Sequence, residues 1–247
     1  MMCGEWLRLV WDLFFPRFCA VCGRELLVRE RHLCLECYAG LPLTYFWRIR
    51  DNPAEEVFWG RIRTERVYSL FYYQNNYRKP LHRLKYRSDR DIGIWLGKML
   101  GERIAEDIRR NREGAGPVDY VVPVPLHYRK RWKRGYNQSA ILAKGIIRGV
   151  VKGEPSRPGP QLVPGLLVRQ QFTATQTEKD RPDRWKNVSG AFRINLRTAA
   201  KLKRKQKPHL LLVDDVLTTG ATLEACASLL QENMDCYISI ATLAYVE

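Results

Sequence analysis

Acidic residues are scarce in this chain. Its 247 residues include 26 Asp and Glu against 42 Lys and Arg, a formal net charge of +16. Two long stretches, 120–153 and 184–213, contain no acid at all, and the second carries nine Lys and Arg. Such a balance excludes an anion-repelling surface and favours polyanionic or phosphorylated partners. Long apolar runs are also missing. No stretch of 18 apolar residues occurs, so a membrane-spanning helix is not expected. The apolar stretch from Trp6 to Phe15 is broken by Arg8 and Asp12 and has no small-residue cleavage site. It reads as an amphipathic helix and not as a signal peptide. The seven cysteines are an odd number, too few for the dense disulfide framework of a small secreted domain. A reducing, cytoplasmic compartment is the expectation. Disorder is excluded by the remaining composition, which is 45% hydrophobic and 11% aromatic.

Four of the cysteines form two pairs, Cys19/Cys22 and Cys34/Cys37, in the spacing C-x2-C-x11-C-x2-C. Each pair can hold one side of a tetrahedral ion, and thiolates suit Zn²⁺ in a reducing compartment. Four protein ligands leave no open position, so the expected role is structural. His32 is expected outside the set. Cys3 reads as a spare thiol, Cys226 and Cys236 as core residues. The predicted organisation is a zinc-binding module over 1–47, then an α/β domain over 48–247, with Asn52-Pro53 in a connector.

Beyond the connector, apolar runs at 66–73, 118–126, 166–169, 191–194, 208–213 and 236–246 predict strands. Helices are predicted over 77–87, 92–110, 137–151 and 223–233. The alternation implies a mostly parallel sheet with right-handed crossovers. The loop 153–160 is rich in Pro and Gly. The polar stretch 170–189 is long enough for an active-site lid.

Within this pattern the segment 210–226, LLLVDDVLTTGATLEAC, is the most informative. An apolar strand is expected to end at Val213. Asp214 and Asp215 follow, and a turn rich in hydroxyls, Thr218-Thr219-Gly220-Ala221-Thr222, opens a helix. Ligands of open α/β sheets bind beyond the carboxyl ends of strands. A helix N-terminus offers unpaired N–H groups to a phosphate, and Gly220 permits close backbone approach. Carboxylates accept hydrogen bonds, so the acidic pair suits sugar hydroxyls. The same pattern also fits an ordinary capped strand-to-helix turn. No Gly-Lys-Thr or Gly-Lys-Ser is present in this loop, so it is not a Walker A loop.

Segment 210–226 resembles the signature that binds 5-phosphoribosyl 1-pyrophosphate (PRPP) in type I phosphoribosyltransferases. Arg129 and Arg134, within the basic run 129–134, suit a pyrophosphate or simply a solvated surface. Arg181 and Arg184 lie in the lid-like polar stretch. Lys85, in HRLKY, suits either the pyrophosphate or a helix surface. Taken in order, CxxC…CxxC, HRLKY, VVPVPL…RGYNQS, TQTEKDR…NVSGAF and LLLVDDVLTTGAT are similar to the ComF family over nearly the whole chain. That resemblance implies a type I phosphoribosyltransferase domain behind a zinc module, and a link to uptake of transforming DNA and to competence-machinery proteins. It implies PRPP bound with Mg²⁺, with Asp214, Asp215, Arg181 and Arg184 as the catalytic set, Mg²⁺ bridging pyrophosphate and ribose oxygens. A different outcome is a catalytically silent, PRPP-sensing protein that binds single-stranded DNA. The aromatic residues Tyr128, Trp132, Tyr136 and Trp185, interleaved with cations, suit that reading.

Overall fold

The computed structural model describes residues 16–86, 89–111, 116–126, 128, 132, 134–169, 191–202 and 205–247. The expected helix over 6–15 and the stretch 170–190, with Arg181 and Arg184, lie outside the described residues, as do Cys3 and Arg129. In chain order the elements are α1 (Leu35–Ala39), α2 (Pro53–Glu56), β1 (Val67–Tyr72), α3 (Arg78–Tyr86), α4 (Arg90–Arg110), β2 (Tyr120–Pro123), α5 (Gln138–Gly153), β3 (Gln161–Leu162), β4 (Leu167–Arg169), β5 (Phe192–Ile194), α6 (Leu196–Leu202), β6 (His209–Leu217), α7 (Ala221–Asn233) and β7 (Tyr237–Tyr245). Among the described residues no helix is long and apolar enough to cross a membrane.

Five strands form a sheet in the order β1-β7-β6-β2-β3, and every neighbouring pair is parallel. The fold is therefore α/β, as the alternation predicts. β6 lies in the centre, and Leu210, Leu211, Leu212 and Val213 are all fully buried there. A strand covered on both faces needs such a continuous apolar run. Leu211 and Val213 pack with Leu142 and Ile146 of α5. Leu210 and Leu212 pack on the other face with Leu223, Ala227 and Leu230 of α7. Each buried leucine contributes roughly 1.5–3 kcal/mol. β4 and β5 pair antiparallel in a small second sheet.

The strand order reverses between β2 and β6. From β2 the chain crosses through α5 outward to β3, and from β6 it crosses through α7 the other way to β7. The two connections diverge at the carboxyl ends of β2 and β6, the crevice position at which open α/β sheets bind ligands.

The crossing of α4 and α5 fixes one wall of that crevice. Gly97 and Gly101 of α4 oppose Gly145 and Gly149 of α5, while Gly93 lies against Leu84 and Ile141 and Gly153 against Ala105. A methyl on Gly97 would stand 2.5 Å from the Leu142 carbonyl oxygen, and one on Gly101 would collide with the Ile146 carbonyl. The two backbones touch, which sets the height of α5 over the sheet.

Two expectations need correction. The strand predicted over 118–126 is regular only over Tyr120–Pro123, because Pro123 and Pro125 carry no N–H for the ladder. β6 does not end at Val213. Pairing with β7 carries it on through Asp214↔Thr242 to Leu217↔Tyr245, so both aspartates lie within the strand. The connector at Asn52-Pro53 is ordered as α2. Asn52 caps α2 by accepting from Ala54 N and Glu55 N, and Glu55 returns a bond to Asn52 N.

That connector is tied to the sheet by a buried charge network. Arg66 pairs with Glu55 at 2.9 Å and Asp107 at 3.1 Å. It also donates to the carbonyls of Phe46 and Ile49, and Tyr68 Oη donates to Asp107 at 2.7 Å. Truncating one member strands the others as buried, uncompensated charges. Arg66→Met is therefore expected to cost about 3–5 kcal/mol. Urea denaturation checks this, and a midpoint unchanged from the parent would refute it.

Candidate functional site

At the carboxyl end of β6 the two aspartates diverge. Asp214 Oδ1 accepts from Ser139 Oγ at 3.0 Å and from the Asp215 amide at 2.9 Å. Asp215 Oδ2 lies 2.9 Å from Lys85 Nζ, at the end of α3. Burial, then the neighbouring Asp215 charge, push the Asp214 carboxyl up to about 7. Ser139 is delivered by the first turn of α5. Asn137 caps that helix through Ser139 N at 3.1 Å, and its Nδ2 donates to Val124 O, just past β2, at 2.9 Å. The crevice is thus built from both strands at the point of reversal.

The turn after Leu217 leads directly into α7. Thr218 and Thr219 are exposed, Gly220 is buried, and Ala221 and Thr222 are half-buried. Gly220 adopts φ 74° and ψ −6° as the N-cap of α7, with no side-chain cap, so the first amides of the helix are not claimed by a cap. A methyl there would lie 2.8 Å from both Phe58 Cε1 and Val57 Cγ1. Arg61 braces the turn, its Nη1 donating to Thr219 O at 3.3 Å and pairing with Glu224 at 3.4 Å. Gly220→Ala is expected to cost about 1–3 kcal/mol through the left-handed backbone and the clash. Calorimetry should show melting lowered by several degrees, and an unchanged melting temperature would contradict this.

Of the expected anion-binding cations, Lys85 is turned onto Asp215. The guanidinium of Arg134 lies over the Tyr86 ring, 5.3 Å from its centroid. Arg129, Arg181 and Arg184 fall outside the described residues. The sequence reading gave no role to Ser139 or Asn137. An Asn just before a helical apolar pattern signals a cap, and it was the available clue.

The four cysteines meet in space. All their Sγ atoms lie within 4.8 Å of one another, and Cys22 and Cys34 are 3.8 Å apart. A tetrahedron with metal–sulfur bonds of about 2.3 Å has edges of about 3.8 Å, so the set fits a metal ion such as zinc. Backbone amides support the sulfurs: Cys34 N donates to Cys19 Sγ at 3.4 Å, and Cys37 N to Cys34 Sγ at 3.5 Å. Burial raises the Cys19 thiol, but the amides of Cys22, Cys34 and Val21 outweigh it and bring it down to about 6. Burial and the neighbouring sulfurs push Cys37 upward. Four sulfurs this close ionise together only around a cation. His32 stands apart, 5.4 Å from the Trp95 ring, and Cys226 is buried in the core, as expected.

This cluster also braces α3. Lys79 Nζ donates to Val21 O at 3.0 Å, Arg83 Nη1 to Phe18 O at 3.2 Å, and Tyr77 Oη to Cys37 O at 3.1 Å. Cys19, Ala20 and Val21 share one apolar core with Leu81 and Leu84 of α3.

No family model matches the chain. Among characterised proteins, DNA utilization protein YhgH of Salmonella typhi is 30% identical over 218 residues, covering 87% of this chain and 84% of that protein. YhgH of Escherichia coli K12 is 28% identical over 215 residues, with 87% and 84% covered. Competence protein F of Haemophilus influenzae is 25% identical over 235 residues, with 89% and 93% covered. Identity of 30% sustained over most of both chains is a family relationship, and the chain belongs to the ComF family.

Proposed function

We propose that this protein binds PRPP in the crevice between β2 and β6 and serves the uptake or use of DNA. One observation carries the reading. Adjacent carboxyls at the end of the central strand are followed by an uncapped helix N-terminus behind a left-handed glycine. The 5-phosphate would sit on the first amides of α7 with the hydroxyls of Thr218, Thr219 and Thr222. The ribose diol would face Asp214 and Asp215. Arg134 and Arg129, with Arg181 and Arg184, would meet the pyrophosphate, which arrives as its Mg²⁺ salt. In an enzymatic cycle the anomeric C–O bond breaks, pyrophosphate leaves with the bonding pair, and a nucleophilic acceptor bonds to the anomeric carbon. The chain's contribution is position and charge. Zn²⁺ is the metal that best suits the four thiolates, and it would cross-link the module that supports α3. Kinship with DNA utilization and competence proteins supports the DNA-related role.

Calorimetry with PRPP and Mg²⁺ tests the binding, and pyrophosphate release across candidate nucleophiles tests transfer. Absence of PRPP binding would end the reading.

A second reading has its own observation. Between the cysteine module and α3 lies a cleft of about 570 Å³. Lys79, His82 and Arg83 line it together with the aromatic rings of Phe18 and Tyr86. Cations beside exposed rings suit single-stranded DNA, bases stacking and phosphates neutralised. In this reading PRPP is a signal and not a substrate. Anisotropy of a labelled oligothymidylate is expected to show affinity that falls steeply with salt. Binding insensitive to salt would count against it.

A further inference from the structure

The two aspartates of the crevice sit side by side in sequence, yet their surroundings differ. The ammonium of Lys85 reaches Asp215 Oδ2 at 2.9 Å, with the two side chains 24% and 17% exposed. Asp214 takes both of its hydrogen bonds on Oδ1, from Ser139 Oγ and the Asp215 amide. Among the described residues no donor reaches its Oδ2. The charged and titratable groups around Asp214 are Asp215 on its own strand, Lys85 from α3 and Cys226 from α7, with Arg169 of β4 acting on Cys226 from further off. Two neighbouring carboxyls in a crevice cannot both ionise cheaply, and the partner that holds a cation keeps the charge.

We propose that Lys85 is a positioning residue that makes the two carboxyls unequal, fixing Asp215 as the anion and leaving Asp214 as the proton carrier of the pair. The upward shift of Asp214 to about 7 agrees with that division. To a sugar diol the pair then offers one charged acceptor and one carboxyl able to donate from Oδ2, where two anions would offer acceptors only. Lys85 is held for this task from two sides. Tyr136 Oη donates to the carbonyl of Leu84, the residue before it, and the cysteine module anchors the same helix through Lys79 and Arg83. The proposal rests on the sugar-phosphate reading only where the ligand enters.

The test is a titration of the full, metal-loaded chain carrying ¹³Cγ-labelled aspartate. Parent, Lys85→Met, Lys85→Arg and Asp214→Asn proteins are compared by NMR. In the parent a single site carboxyl should titrate near neutrality, and Asp214→Asn should remove that signal. Lys85 stabilises the anionic pair, so Lys85→Met should draw a second carboxyl into the titration and move it to higher pH by about a unit or more. Lys85→Arg should restore the single titration. A lysine that only supports the helix would leave the profile where it was, and superimposable parent and Lys85→Met curves would overturn the proposal. Two parent carboxyls titrating together, or neither, would do so as well. Ribose 5-phosphate affinity, measured by calorimetry across the same range, should bend at the same pH and follow the same shift. If ribose 5-phosphate binds at no pH while the carboxyls titrate as described, the sugar-phosphate reading fails and the unequal pair stands.

Discussion

Replacing Cys34 with serine is expected to strip the metal from the cysteine cluster and release the module from α3. Cys34 is fully buried, contributes one of the four sulfurs, and caps α1 by accepting from Cys37 N. A structural Zn²⁺ site of this kind contributes on the order of 10 kcal/mol to the segment it closes. The segment itself is too small to bury a core unaided. Elemental analysis should find one zinc per parent chain and none in Cys34→Ser. The consequence should travel beyond the module. With Val21 O and Phe18 O displaced, Lys79 and Arg83 lose their partners, and α3 no longer presents Lys85 to Asp215. Hydrogen exchange at Leu81 and Leu84, both buried against the module's core, should accelerate. Stoichiometric zinc in the variant, or unchanged protection of α3, would show that the four sulfurs are not a metal-closed brace.

The parts of this molecule legible in the sequence are those whose cause is local. The cysteine pairs declare themselves by spacing. β6 and β7 declare themselves by apolar runs that only strands covered on both faces tolerate. Features arising from distant partners were not legible. Ser139 meets Asp214 across 75 positions, and nothing near either residue announces the meeting. The buried network of Arg66, Glu55 and Asp107 has no local signal either, since such residues are seldom buried unless paired, and only the fold supplies the pairing. The extension of β6 beyond Val213 comes from β7 continuing beside it, which overrides the weak strand preference of adjacent aspartates. α6 escaped notice because Leu196–Leu202 is short and lies in a basic stretch without a clear apolar period. Asp214, Asp215 and Gly220 were singled out from a strand-to-helix junction; the junction is there, but the aspartates lie inside the strand and not beyond it. That Lys85 stands against Asp215 was beyond reach, because the sequence shows a basic helix and not where it ends in space.

Converting both Asp214 and Asp215 to asparagine is expected to weaken PRPP binding by about 1.5 to 3 orders of magnitude. A hydrogen bond to a charged group contributes roughly 1.5–3 kcal/mol and one to a neutral group roughly 0.5–1.5 kcal/mol, and near neutrality the diol would face one of each. Asparagine keeps the shape, so a loss of affinity reports chemistry and not collapse. Stability should move in the opposite direction. The folded-state value of Asp214 is raised from its ordinary 3.8 to about 7. The folded chain therefore binds a proton more tightly than the unfolded chain, and this group's effect is a loss of stability as pH rises from about 4 to about 7. Above that window the crevice holds two neighbouring anions against burial, a cost which a binding site carries and a purely structural turn would shed. Asp214→Asn should flatten that part of the pH–stability curve and leave the chain at pH 8 at least as stable as the parent. Calorimetry with PRPP and Mg²⁺, run beside thermal melting at pH 5 and pH 8, separates the cases. Undiminished PRPP affinity would remove the acidic pair from the ligand site. Melting that falls at pH 8 would assign the pair to holding the fold.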